Sequence, residues 1–115
     1  MNEQIKNKWV KALRSGEYEQ GEGRLRCGDK YCCLGVLTDL YAKEKNLEWH
    51  PHLYDVFGFD NEEGSTPNLV LEWSEVEGIF GWISALDRDL SSLNDSGNYT
   101  FHQIADIIEE HWRGL

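Results

Sequence analysis

The three cysteines of this 115-residue chain fall within residues 24–40, close in sequence to a small group of cations. Cys32 stands where a helix is predicted to begin. Because a helix N-terminus and nearby cations stabilise a thiolate, Cys32 is the candidate nucleophile of a small cysteine-dependent hydrolase or transferase. A histidine could act as base and an acid or amide could orient it, the candidates being His50, His52, His102, His111, Asn94 and Asp95.

The spacing of these residues favours a simpler interpretation. No histidine lies at a diagnostic distance in sequence from Cys32, and free cysteines are often small buried hydrophobic residues. We therefore predict that Cys32 and Cys33 serve packing and that the chain has no catalytic residue, with Cys32 as the residue to test if it is an enzyme. An odd number of cysteines also predicts no disulfide framework.

Cys27, Cys32 or Cys33 could bind a metal together with His50 and His52. Structural zinc sites show short paired spacings such as C-x-x-C, whereas four residues separate Cys27 from Cys32. We predict no metal site and no cofactor.

A small anion is the ligand that the residue types favour most. The predicted binding residues are cations and rings around the cysteines, with two polar residues that could project towards Cys32: Arg24, Arg26, Lys30, Tyr31, Trp49, Tyr54, Asn94 and Asp95. Arg24, Arg26, Lys30 and Tyr31 would hold the anion while Trp49 or Tyr54 stacks on a base. The alternative is that the cations are solvated and that Asn94 and Asp95 belong to a turn.

The net charge of −10 is unevenly distributed. Residues 1–30 carry seven Lys/Arg against five Asp/Glu, and residues 31–115 carry four against sixteen. Such a field repels nucleic acid and favours a basic protein partner, so no direct nucleic-acid binding is expected. A DNA-mimic inhibitor is a further alternative, and homo-oligomerisation is left open. Without a long apolar run or a leader pattern, we expect a cytoplasmic protein that does not bind membranes.

Hydrophobic spacing predicts one α+β domain over residues 1–115, mostly helical, with four or five helices around a small β-hairpin. Residues 3–14 should form a helix capped by Asn2, and residues 24–31 a hairpin that turns at Gly28. Residues 33–45 should form the central helix, in which Gly35 allows close approach of a neighbouring element. Residues 47–65 predict short strands or a structured loop.

The C-terminal half predicts three more helices. Thr66 should cap a helix that begins at Pro67 and ends near Gly78. Residues 82–93 should form a second helix, and residues 101–112 a third that starts with a capping box formed by Thr100 and Gln103.

Four segments together resemble a family of small proteins encoded in bacteriophage and prophage genomes: residues 9–18 (WVKALRSGEY), 31–37 (YCCLGVL), 93–97 (LNDSG) and 101–108 (FHQIADII). The likeness covers most of the chain and is weakest over residues 47–65. It implies a phage setting, in the cytoplasm of the host cell, and no particular reaction. The function we expect is a non-enzymatic accessory protein for host modulation or anti-defence. It would sequester a small anionic, nucleotide-like ligand or inhibit a host protein.

Overall fold

The computed structural model describes residues 1–51, 56–58 and 65–115, which form an α+β fold. The described residues contain five α-helices: α1 (Glu3–Arg14), α2 (Cys33–Glu44), α3 (Asn68–Ser74), α4 (Leu90–Asp95) and α5 (Phe101–His111). They also contain seven short strands: β1 (Glu19–Gln20), β2 (Arg26–Cys27), β3 (Lys30–Tyr31), β4 (His50–Pro51), β5 (Val56–Gly58), β6 (Trp82–Ile83) and β7 (Arg88–Asp89). The predicted mostly helical α+β class is confirmed.

Helix α1 begins and ends where the sequence predicts. The Asn2 side chain accepts a hydrogen bond from the amide of Ile5 at 3.1 Å and so satisfies one of the free donors of the first turn. The apolar face of α1 packs on α5 and α2. Within that contact, the indole nitrogen of Trp9 donates to the carbonyl oxygen of Cys33 at 2.9 Å, which ties α1 to the first residue of α2.

The predicted hairpin is formed by β2 and β3, with Arg26 opposite Tyr31 and Cys27 opposite Lys30. Gly28 adopts a φ of 60°, a conformation that side chains with a Cβ rarely take, and this allows the tight reversal. Neighbouring strands extend the hairpin into a sheet of order β1-β3-β2-β5-β4. Strand β1 joins β3 in parallel, whereas β5 and β4 add antiparallel pairs on the other side. A pair this short cannot be stable alone, so the larger sheet and the helices support it.

Helix α2 lies at the centre of the molecule and is buried along most of its length. It contacts α1, α3 and α4 as well as strand β3. The predicted central helix over residues 33–45 is thus confirmed to within one residue. Only Cys32 separates β3 from α2, so the hairpin and the cysteines lie close together in the fold.

The predicted helix over residues 82–93 is wrong. The chain instead forms β6, a short 3₁₀ turn (Ser84–Leu86), β7 and then α4. Asp87 has a left-handed φ of 51°, and the carboxylate of Asp89 caps α4 by accepting from the amide of Ser92 at 2.7 Å. A side chain that binds the backbone in this way competes with a continuing helix, and Leu86 is left exposed as a result.

The helix predicted after Thr66 is shorter than expected. Pro67 lies at the N-cap and α3 ends at Ser74, because Glu75 turns the chain away with a φ of 60°. Thr66 does not cap α3; its hydroxyl donates instead to the carbonyl oxygen of Ile79 at 2.8 Å. This hydrogen bond joins Ile79, in the segment that follows α3, to Thr66, which lies just before α3 begins.

The last helix confirms the predicted capping box. The Thr100 hydroxyl accepts from the amide of Gln103 at 3.2 Å, and the Gln103 side chain accepts from the amide of Thr100 at 2.9 Å. Among the described residues, no helix is both long enough and apolar enough to span a membrane.

Candidate functional site

A cleft of about 400 Å³ lies where the loop before β2, the start of α2 and helix α4 meet. Its described lining consists of Gly23, Arg24, Cys32, Ser65, Phe80, Ser91 and Asp95. Three of these residues, Arg24, Cys32 and Asp95, were candidates from the sequence. The volume falls within the ordinary range for small-molecule sites.

The acidic wall of the cleft is fixed by Asp95, the last residue of α4. Its Oδ1 accepts from the amide of Gly23 at 2.9 Å and from the side-chain amide of Asn94 at 3.1 Å. These bonds tie the loop carrying Arg24 to the end of α4. An ionised carboxylate has further lone pairs on its second oxygen, so Asp95 can still accept from a ligand.

Cys32 forms the floor of the cleft but is nearly buried. Its sulfur accepts a hydrogen bond from the amide of Gly35 at 3.3 Å and so caps α2. Burial raises the pKa of the Cys32 thiol to about 11, because loss of water disfavours the thiolate more than the backbone amides of Gly35 and Leu34 favour it. The enzyme alternative required the helix terminus to lower this pKa, and the raised pKa instead agrees with the predicted packing role of Cys32.

Cys33 is fully buried, and its thiol donates weakly to the carbonyl oxygen of Leu90 at 3.6 Å. Burial also raises its pKa well above the ordinary value. Both thiols are thus protonated near neutral pH and unsuited to attack a substrate. In the described part of the chain, no group of three or more His, Cys, Asp and Glu side chains is arranged to hold a metal ion. His52 lies outside the described residues.

The cations that were predicted to form one anion site are separated in the fold. The Arg26 guanidinium lies over the rings of Tyr31, at 4.9 Å, and Trp49, at 5.6 Å, and its Nε donates to the carbonyl oxygen of Gly28 at 2.7 Å. Lys30 lies 3.8 Å from the carboxylate of Glu19 across the β1–β3 pair.

The structure places these cations in different surroundings, and their joint role in binding an anion stays a prediction. Arg26, Tyr31 and Trp49 form a cation–aromatic cluster within the fold, and Arg24 alone reaches the cleft. The ring of Trp49 lies beside the Arg26 guanidinium, and its stacking on a base stays a prediction. Tyr54, the other predicted stacking residue, lies outside the described residues.

A buried carboxylate on α2 organises that cluster and was missed from the sequence. Asp39 accepts from the hydroxyl of Tyr18 at 2.5 Å and from the indole nitrogen of Trp49 at 3.0 Å, and lies 3.2 Å from the ammonium of Lys43. Burial and the bond to Asp39 raise the pKa of Tyr18 to about 12. Helical spacing places Asp39 away from the apolar stripe formed by residues 33, 36, 37, 40 and 41, so the sequence carried no signal that its carboxylate is buried and partnered.

Asn94 is fully buried and does not line the cleft, so its burial gives no support to the predicted ligand-binding role. Its Oδ1 accepts from the amide of Cys33 at 3.2 Å and from the side chain of Gln20 at 3.0 Å. Its Nδ2 donates to the carbonyl oxygen of Gly21 at 2.8 Å, in addition to the bond to Asp95. Asn94 therefore joins β1, α2 and α4 and holds the cleft walls in place.

Phe80, Ser65 and Ser91 also line the cleft and were not foreseen. Ser91 donates to the carboxylate of Asp89 at 2.8 Å and also makes a backbone bond from its amide to the carbonyl oxygen of Phe80 at 3.2 Å. Nothing in residue type distinguishes these serines from others. Only the abrupt turn at residues 78–81 brings Phe80 to the cleft.

Residues 1–112 match the model of a protein family described as Domain of unknown function (DUF8296), so the chain belongs to that family. No curated protein and no solved structure matched it.

Proposed function

We propose that this DUF8296 protein is a non-enzymatic binding protein whose cleft holds a small anionic, nucleotide-like ligand. The observation that supports this most is the cleft itself, because it joins a guanidinium, a carboxylate and an aromatic ring in about 400 Å³. Arg24 is exposed and supplies the cation.

Each of the three groups matches one part of a nucleotide. The guanidinium of Arg24 suits a phosphate, to which it can donate two parallel hydrogen bonds. The ring of Phe80, 43 % exposed, offers a face on which a base can stack. The free lone pairs of Asp95 suit the amino group of a base. A simple anion such as phosphate would leave Asp95 unmatched, so a ligand with both an acidic group and donors fits better.

The enzyme alternative finds less support in the geometry. A cysteine hydrolase or transferase needs a thiolate and a nearby base, whereas the Cys32 thiol is buried, caps α2 and has a pKa of about 11. His102 and His111, the histidines on α5, do not line the cleft. In this proposal the Cys32 thiol therefore contributes to the shape of the cleft and takes no part in a reaction.

The phage setting stays a prediction from the resemblance, and so do the host cytoplasm and the anti-defence role. A small binding protein without catalytic chemistry would act in such a setting by sequestration. Removing a signalling nucleotide from solution requires only affinity and sufficient copies of the protein.

Thermal melting with a panel of nucleoside monophosphates, and with inorganic phosphate alone, tests the proposal. A ligand at 100 times its Kd stabilises the fold by about 2.7 kcal/mol, which raises the melting temperature by several degrees. Arg24→Gln should abolish the rise. Arg88→Gln, which removes an exposed arginine that does not line the cleft, should keep it.

The panel can also contradict the proposal. No rise with any nucleotide, or a rise that Arg24→Gln leaves intact, would do so. A rise with phosphate equal to that with nucleotides would show a simple anion site, without the roles given to Phe80 and Asp95.

A further inference from the structure

Residues 79–86 leave four large apolar side chains exposed within eight positions. The exposed residues are Ile79, Phe80, Trp82 and Leu86, and we call them the apolar surface. Their exposed fractions run from 39 % to 47 %. Single exposed apolar residues are ordinary, whereas four of them within eight positions of the chain are an unusual concentration of exposed apolar side chains.

The backbone beneath the apolar surface is fixed in place. The carbonyl oxygen of Ile79 accepts from the amide and hydroxyl of Thr66, at 3.1 Å and 2.8 Å. The carbonyl oxygens of Phe80 and Gly81 accept from the first two residues of α4. Because the main chain is already ordered, these side chains are presented without a further cost of ordering it on binding.

Gly81 contributes to this order. It has a φ of 70°, and a Cβ at this position would lie 2.9 Å from the side chain of Leu90. The glycine thus packs tightly on α4, and the next residue, Trp82, points outward in β6 while Ile83 is buried. Because side chains alternate in direction along β6, the side chain of Trp82 stays about half exposed.

In the segment that carries the apolar surface, acidic residues outnumber basic ones; the nearby cations from other segments are Arg24, beside Phe80 in the cleft, and Arg113, near residues 83–85. From residue 72 to residue 89 the chain carries five acids and one base. The acids are Glu72, Glu75, Glu77, Asp87 and Asp89, four of them exposed and Asp89 partly so, and the base is Arg88. An apolar centre beside charged groups is the usual organisation of a protein interface.

We propose that the apolar surface docks a basic partner protein, which supplies an apolar anchor flanked by lysines or arginines. Charge complementarity selects this occupant. A second copy of this chain would bring two acidic segments together, with a net charge of −10 on each molecule. An anionic membrane would be repelled for the same reason. The inference goes beyond ligand binding in the cleft, with which it shares Phe80, and its test uses Trp82 and Leu86, which do not line the cleft.

Selection from a random displayed peptide library tests this directly, with the whole folded protein as bait. We expect enriched peptides to carry a net positive charge together with Trp, Phe or Leu, and to bind more weakly as salt is raised. Leu86→Ser and Trp82→Ser should each weaken binding by about tenfold, because anchors at an interface centre dominate the affinity.

Leu47→Ser is the matched control, since Leu47 is also an exposed leucine, at 45 % against 40 % for Leu86, and lies outside the segment. It should leave peptide binding unchanged. Far-UV circular dichroism and thermal melting check the folding of each variant. If Trp82→Ser has a lowered melting temperature, the peptide affinity of Leu86→Ser alone decides the test.

Four results would overturn the proposal. They are enrichment of neutral or acidic peptides, no enrichment at all, equal loss of binding in Leu47→Ser, and a dimer in sedimentation that Leu86→Ser dissociates. The last would identify a second copy as the occupant.

Discussion

Gly35 in the first turn of α2 lies directly against the backbone of Leu25, so that a Cβ at position 35 would stand 1.7 Å from the Leu25 carbonyl oxygen. The same oxygen accepts from the amide of Cys32 at 3.1 Å. The residue before the hairpin and the start of the central helix are therefore packed backbone to backbone. This contact sets where Cys32 and the floor of the cleft lie.

Gly35→Ala should destabilise the protein by about 3 kcal/mol or more, because backbone atoms cannot move aside as a flexible side chain would. Gly114→Ala is the control, since no heavy atom lies within 4 Å of a Cβ there. Urea denaturation of both variants measures the effect. Equal stability of Gly35→Ala and the wild type would show that the close contact does not exist.

Asp39→Ala should cost about 3 kcal/mol, because it removes a buried carboxylate that receives bonds from Tyr18 and Trp49. Tyr18→Phe should cost about 1–2 kcal/mol. The double variant should lose less than the sum of the two, since both changes remove one shared bond.

The matched control for this prediction is Asp106→Ala. Asp106 lies 2.7 Å from Arg14 in an ion pair whose side chains are both well exposed, and such pairs contribute less than about 1 kcal/mol. Unfolding followed by tryptophan fluorescence compares the variants. A cost for Asp106→Ala that matches that of Asp39→Ala would contradict the account.

The parts of the fold that were predictable depend on local interactions. The cap by Asn2, the capping box of Thr100 and Gln103, and the turn at Gly28 each join residues within a few positions of one another. Such contacts are visible in the sequence because residue type and spacing determine them.

The parts that were not predictable depend on long-range contacts. Residues 83, 86, 90 and 93 have helical spacing, yet the β6–β7 pair and the cap by Asp89 override it. Likewise, Arg24 and Arg26 are two positions apart and would share one face of an extended strand, but Arg24 lies in the bend before β2. Arg24 therefore lines the cleft, whereas Arg26 lies over the rings of Tyr31 and Trp49. Neither outcome follows from residue type.

Alkylation should distinguish the three cysteines. Cys27 is exposed in β2, whereas Cys32 and Cys33 are buried and their pKa values are raised. With iodoacetamide near neutral pH, we expect Cys27 to be modified first and the other two only after unfolding. Mass spectrometry of proteolytic peptides, taken at successive times, measures the extent of modification at each cysteine. Rapid modification of Cys32 in the folded protein would revive the enzyme alternative.

Stability should fall as the pH rises above about 9. The pKa of the Cys32 thiol is about 11 in the folded protein against an ordinary value of 9.0, so in this range the unfolded chain releases a proton that the folded chain keeps. The contribution of Cys32 is therefore fully present below pH 9.0 and lost as the pH passes through about 11.

Tyr18 acts in the same direction at higher pH, since its pKa rises from 10.0 to about 12. Urea unfolding at several pH values measures the slope of the free energy against pH. Cys32→Ala should flatten that slope above pH 9.0 and leave it unchanged at lower pH. A slope that Cys32→Ala does not alter would mean that this thiol is not buried.

We propose that the ligand binds in the cleft between Arg24 and Asp95, and not at the cation–aromatic cluster of Arg26, Tyr31 and Trp49. Amide chemical shifts recorded by NMR during titration with adenosine monophosphate locate binding most directly. The account predicts saturable shifts concentrated at Gly23, Arg24, Ser91 and Asp95, with little change at Tyr31. Shifts centred on Tyr31 and Trp49, or none at all, would contradict it.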